Sequence, residues 1–211
     1  MAKVAPVAET WLWRHPRPQG AVGRCIGRTD LALDPRRAKR LAHRIRRAAR
    51  QHGLPREVFT SPLRRCADVG RWLARWGWRH HVDARLLELD FGRWDGQAWA
   101  HIPHAEVAVW EANFADHAPG GGEPLAALVA RCQAFLADSR HAHTPAHCTR
   151  LLVAHAGWIN ASAWAFAADL AELSAACWPA APGYGSLSRR PVSHQGRTEQ
   201  APHWGERAVH T

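Results

Sequence analysis

The run Leu151-Leu152-Val153-Ala154 restricts the possible folds of this chain more than any other segment. Four apolar residues without alternation do not suit a strand with one wet face; they suit a strand covered on both faces, as in a parallel sheet flanked by helices. Trp11–Arg14, Val58–Thr60 and, more weakly, residues 80–84 also read as short strands. Residues 34–52 have helical periodicity, opening at Asp34-Pro35 (an N-cap followed by proline at the first helical position) and stopping at His52-Gly53. Ser61-Pro62 opens a second helix to about Trp76. Further helices are expected over Ala105–Phe114, over Glu123–Ser139 and after His155-Ala156-Gly157, with Tyr184–Ser188 as a last strand. Strands alternating with helices specify an α/β fold, a three-layer α/β/α sandwich on a mostly parallel central sheet.

With 211 residues and 46% hydrophobic content, the chain has material for one sizeable core. Residues 1–190 form the expected domain, and the polar, patternless stretch 191–211 is expected to be a flexible tail. The five cysteines are odd in number, widely separated and free of any C-x-x-C pair, which points to reduced thiols in a cytoplasm. MAKVAPVAET lacks the pattern of a signal peptide. Residues 151–171 approach the length of a membrane span, but His155, Asn160, Ser162 and Asp169 interrupt them, so no membrane association is expected. The formal charge of +10 raises the question of nucleic acid. Its densest source, residues 36–50, has Leu41 and Ile45 at helical spacing and reads better as the solvated face of an amphipathic helix.

Three reactive clusters follow three of the expected strands: Arg14-His15, Ser61 to Arg65, and His155-Ala156-Gly157. Parallel strands would bring all three to one sheet edge, where such sheets bind ligands. Two arginines and two histidines suit a phosphate dianion, because guanidinium groups hold its oxygens through paired, charged hydrogen bonds. The helix after His155 would add the positive end of its dipole.

In order along the chain, Arg14-His15, Ser61-Pro62-Leu63-Arg64-Arg65, Leu87-Glu88-Leu89-Asp90-Phe91-Gly92-Arg93-Trp94-Asp95-Gly96, Pro119-Gly120-Gly121-Gly122-Glu123 and Val153-Ala154-His155-Ala156-Gly157 form a set of landmarks. This set resembles the histidine phosphatase, or phosphoglycerate mutase-like, superfamily over roughly residues 8 to 190. The stretch Gly23 to Leu31 and the block from Glu88 to Gly96 are most similar to the alpha-ribazole phosphatase branch, whose members remove a 5'-phosphate in cobalamin biosynthesis. The resemblance implies His15 as the nucleophile forming a phosphohistidine, with Arg14, Arg65 and His155 as the phosphate pocket and Glu88 as proton donor and acceptor. It also implies Gly27 and Arg28 as substrate contacts, a small phosphorylated metabolite as substrate, and no cofactor or metal. A phosphoglycerate mutase-type phosphotransferase, or a non-catalytic phosphate- or RNA-binding protein on the same fold, are the competing readings. The family's glycine after the arginine-histidine pair is Pro16 here, which has no N–H to offer a phosphate.

Three other signals carry less. His141, His143 and His147 have zinc-compatible spacing but lie in a loop without cysteine or carboxylate company. The Gly120-Gly121-Gly122-Glu123 segment lacks the G-K-[ST] ending of a P-loop and reads as a loop and helix start near the substrate entrance. Trp94 and Trp99 stand close enough to Glu88 in sequence to meet a substrate ring.

Overall fold

Side chains alternate across the strands, so the sheet separates two cores. The computed structural model describes residues 9–138, 149–166, 170 and 172–191. The strands are β1 (Glu9–Arg14), β2 (Glu57–Thr60), β3 (Arg79–Val82), β4 (Arg150–Ala154) and β5 (Leu187–Pro191), in the order β3-β2-β4-β1-β5. All pairings are parallel except that of β5 with β1. Trp11, Trp13, Val58, Leu151 and Val153 face α1 (Pro35–His52) and α2 (Arg64–Ala74). Leu12, Phe59, Leu152 and Ala154 face α4 (Leu125–Leu136) and α5 (Ala156–Ala161). The unbroken apolar run of β4 is therefore covered on both sides, as the sequence implied. A buried leucine in such a layer contributes roughly 1.5–3 kcal/mol.

Helix α1 forms as the sequence dictates. Asp34 accepts a hydrogen bond from the Arg36 N–H at 2.8 Å, Pro35 occupies the first turn, and Gly53 closes the helix at φ +63° with its N–H on the Ala49 carbonyl. Ala38, Leu41, Ala42, Ile45 and Ala49 are its buried stripe, and most of its arginines lie on the other face. Helix α3 (His104–Ala112) buries no residue fully. No helix among the described residues is long and apolar enough to cross a membrane.

Four boundaries differ from expectation. Helix α2 starts at Arg64 rather than Ser61-Pro62, because Leu63 is still extended and the Ser61 hydroxyl is bonded to His155. Helix α4 starts at Leu125 after an extended Pro124, while the Glu123 carboxylate is bound by Arg131. The helix after His155 has only six residues. The last strand is shifted towards Pro191, so Pro191 belongs to the sheet and Tyr184 lies before the strand. The group His141, His143 and His147, and the tail after Pro191, lie outside the described residues.

Candidate active site

Strands β1, β2 and β4 run in the same direction, so the residues following them gather at one edge of the sheet. Strand β1 ends at Arg14, and the His15 N–H still donates to the Ala154 carbonyl at 3.0 Å. On a regular strand Arg14 and His15 would point to opposite faces; the ending lets both serve one site. His15 is buried, and its Nδ1 lies 2.8 Å from the Pro16 carbonyl oxygen. A carbonyl only accepts, so Nδ1 carries the proton and Nε2 presents its lone pair. Burial first, then the Arg65 charge, hold the His15 imidazole well below its ordinary pKa. Pro16 has no N–H to give, but its carbonyl fixes the tautomer a nucleophilic histidine needs.

Arg65, not Arg64, is the buried arginine of the Ser61–Arg65 cluster. Its Nη1 donates to the Thr29 carbonyl at 2.8 Å, Nη2 to the Gly27 carbonyl at 2.5 Å, and Nε to His155 Nδ1 at 3.2 Å. A guanidinium has five N–H groups, so each terminal nitrogen keeps one for a phosphate oxygen. Because Arg65 can only donate, His155 Nδ1 is the acceptor and its Nε2–H donates to Ser61 Oγ at 2.7 Å. His155 is fully buried, its pKa pushed well down by burial and then by Arg65, and its ring centroid is 5.0 Å from that of His15. Arg64 is exposed, with its N–H on Asp30.

Arg14 Nη1 donates to the Pro182 carbonyl at 2.5 Å, and its Nε is buried without a partner among the described residues. An unsatisfied buried donor is costly unless a ligand uses it, and here it belongs to the arginine preceding His15. The Tyr184 ring covers the same guanidinium, 3.8 Å from its central carbon.

Glu88 is buried, with Oε1 accepting the Leu89 N–H and Oε2 accepting the Gly157 N–H, each at 3.0 Å. The first turn of α5 therefore serves Glu88, not the expected phosphate. A Cβ on Gly157 would stand 2.4 Å from Glu88 Oε1, so glycine is what allows this approach. Arg131 holds the chain leading to Glu88: it donates to the carbonyls of Arg85, Leu87 and Glu88 and pairs with Glu123 at 2.7 Å. Sequence reasoning missed Arg131. Its signal was a single charged residue within the otherwise uncharged helix LAALVARCQAFL.

Gly27 and Arg28, expected at the substrate, are occupied internally. The Gly27 carbonyl serves Arg65 and its N–H serves Asp95, while the Arg28 guanidinium meets Asp90 at 3.1 Å and Glu123 at 3.4 Å. Asp95 accepts three backbone N–H groups, from Gly27, Arg28 and Thr29. It thereby fixes the two carbonyls that aim Arg65. Asp95→Ala is expected to destabilise the fold by about 2–4 kcal/mol in urea unfolding and to raise KM, since three amides lose their acceptor. An unchanged midpoint would remove this role.

The Gly120-Gly122 loop packs against the Asp90–Gly92 backbone: a Cβ on Gly122 would stand 2.1 Å from the Asp90 carbonyl oxygen. Trp94, expected near a substrate ring, is committed to the core. It is buried beside Cys25 and Ile102, with its Nε1–H on Glu106 at 2.7 Å. Trp99 is exposed, edge-on to Phe91. A cavity of about 400 Å³ lined by Arg93, Trp94, Glu106, Val109 and His117 among others includes none of Arg14, His15, Arg65, Glu88 and His155. No group of three or more metal-ligating side chains occurs among the described residues.

Both buried histidines bind a proton more weakly in the native state than in the unfolded chain. Their neutral form contributes stability at neutral pH, and that contribution is lost as pH falls through the unfolded value of about 6.5. At pH 5.5 the loss is about 1.4 kcal/mol for each histidine that stays neutral. A lower Tm at pH 5.5 than at pH 7 in calorimetry without phosphate is the expected outcome; a flat profile over that window contradicts it.

Known structures share this fold. A mycobacterial glucosyl-3-phosphoglycerate phosphatase in complex with VO3 is similar at a TM-score of 0.67 and 30% identity, over 86% of this chain and 92% of that one. The complex of that phosphatase with inorganic phosphate gives 0.67 and 27%, over 86% and 88%. Alpha-ribazole phosphatase from Shigella flexneri gives 0.56 and 25%, over 72% and 76%. No curated protein sequence matches. The sequence model of the histidine phosphatase superfamily (branch 1) matches residues 10–200. With that match and a phosphoglycerate mutase-like fold around the clustered arginines and histidines, the chain belongs to the histidine phosphatase superfamily.

Proposed function

We propose that the protein is a metal-independent phosphomonoesterase working through a phosphohistidine on His15. The observation that carries this reading is a neutral, buried His15, with Nδ1 tied to Pro16, beside an Arg14 donor without a partner. His15 Nε2 attacks phosphorus in line and the ester P–O bond breaks, with Glu88 giving its proton to the departing alkoxide oxygen. Water then attacks the phosphohistidine, Glu88 takes back a proton, the P–N bond breaks and inorganic phosphate leaves. Arg14 and Arg65 supply the charge and hydrogen bonds that the transferring group needs, while His155, expected in the phosphate pocket, has both nitrogens engaged by Arg65 and Ser61 and acts by orienting them.

The substrate is a small phosphorylated metabolite. Alpha-ribazole 5'-phosphate is one candidate, supported by the Gly23–Leu31 stretch and the Shigella enzyme. The broader coverage of the mycobacterial enzyme favours a second, glucosyl-3-phosphoglycerate. Phosphate release from both, from sugar phosphates and from phosphoglycerates, with EDTA present, tests the proposal; intramolecular transfer without release would identify a mutase instead. Among the described residues Cys25, Cys66, Cys132 and Cys177 form no disulfide, and the reducing, cytoplasmic setting is proposed from the spacing of the cysteines.

A further inference from the structure

Two residues beyond the nucleophile, Arg17 projects from the turn that follows β1 and is exposed. Its central guanidinium carbon lies 5.2 Å from the Tyr184 ring centroid. Arg14 approaches the same ring to 3.8 Å, and the His15 ring lies 5.6 Å from it. One aromatic ring thus sits beside the nucleophile and two cations. Arg37 of α1 donates to the Arg17 carbonyl at 3.0 Å, adding a third positive group and tying down the backbone of Arg17.

Other arginines near the site are neutralised: Arg28 meets Asp90 and Glu123, and Arg131 meets Glu123. No carboxylate among the described residues lies within ion-pair distance of Arg17. Burial above all lowers the Arg14 pKa; Tyr184 and Glu88 oppose that, and the like charges of Arg65 and Arg17 add to it, which places Arg17 within electrostatic reach of Arg14. Arg14 and Arg65 suffice for the phosphate. Arg17, held on the same ring but further along the chain, is left with its charge uncompensated.

We infer that Arg17, on its Tyr184 platform, forms a second anion subsite, so that the preferred substrate carries a carboxylate or second phosphate a few bonds from the scissile phosphoester. This rests on the phosphatase reading above. A guanidinium stacked on an aromatic ring keeps its edge free for a carboxylate or phosphate, which an ammonium matches less well.

The test measures competitive inhibition of p-nitrophenyl phosphate hydrolysis by two pairs of compounds. Glycerol 3-phosphate and 3-phosphoglycerate differ by a carboxylate; fructose 6-phosphate and fructose 1,6-bisphosphate differ by a phosphate. In the wild type the member with the extra anion binds more tightly, and the pair showing the larger gap identifies the anion. Arg17→Gln weakens binding of that member roughly tenfold, equivalent to one charged hydrogen bond. It changes binding of the singly phosphorylated member and p-nitrophenyl phosphate turnover far less, and Arg17→Lys restores part of the loss. No gap in the wild type, or an equal change for both members in Arg17→Gln, overturns the subsite while turnover leaves the phosphatase reading standing. Absence of p-nitrophenyl phosphate hydrolysis and of any phosphohistidine defeats that reading itself, and the subsite with it.

Discussion

Replacing His15 by glutamine lowers turnover by roughly 10⁵-fold or more, the scale on which loss of a nucleophile acts. Glutamine can still offer an N–H towards Pro16 but has no lone pair at the Nε2 position, so the site keeps its shape and loses its chemistry. Wild-type protein quenched in base during turnover carries an acid-labile phosphoryl group, and His15→Gln carries none. Phosphate and vanadate still bind the variant, because Arg14 and Arg65 are untouched. Unaltered turnover would remove His15 as nucleophile. Loss of turnover together with loss of anion binding would mean that the substitution had collapsed the pocket, and Arg65, whose aim is set by Gly27 and Thr29 rather than by His15, should prevent that.

The distribution of legible and illegible features follows from how each is encoded. The β4 run and the spaced apolar residues of α1 specify burial locally, so strands, layers and the mostly parallel character of the sheet could be read directly, though not the strand order. Strand ends then bring Arg14, His15, Ser61, Arg65 and His155 together without further information. The choice of Arg65 over Arg64 came from the resemblance, and burial supplies the physical reason. What could not be read were contacts between segments distant in sequence. Asp95 binds amides 66–68 positions away, Arg131 holds carbonyls more than 40 positions away, and Arg28 is drawn off by Asp90 and Glu123. No local periodicity reports these. Trp94 shows the same limit: proximity to Glu88 in sequence suggested a substrate contact, whereas its indole is committed to Glu106 within the core.

Gly157→Ala tests the placement of Glu88 without touching its chemistry. Gly157 has no positive φ and lies in a helix, where alanine is favoured over glycine by about 1 kcal/mol, so the backbone accepts the change. The added methyl meets Glu88 Oε1 at 2.4 Å and forces the carboxyl out of place. A displacement of about 1 Å is expected to lower kcat about 10²-fold while Tm holds or rises slightly. Glu88→Gln goes further, about 10²–10⁴-fold, because the proton donor itself is lost. Leaving-group chemistry separates this role from mere pocket damage. A p-nitrophenolate departs without a proton, so its ester still phosphorylates His15 rapidly in Glu88→Gln, and the deficit moves to hydrolysis of the intermediate, where water lacks its base. A burst of nitrophenolate followed by slow turnover, with phosphohistidine accumulating, is the expected signature. An alkyl phosphate gives no burst, since its alkoxide cannot leave unassisted. Equal losses for both esters with no burst would assign Glu88 to holding the loop through the Leu89 and Gly157 amides rather than to proton transfer.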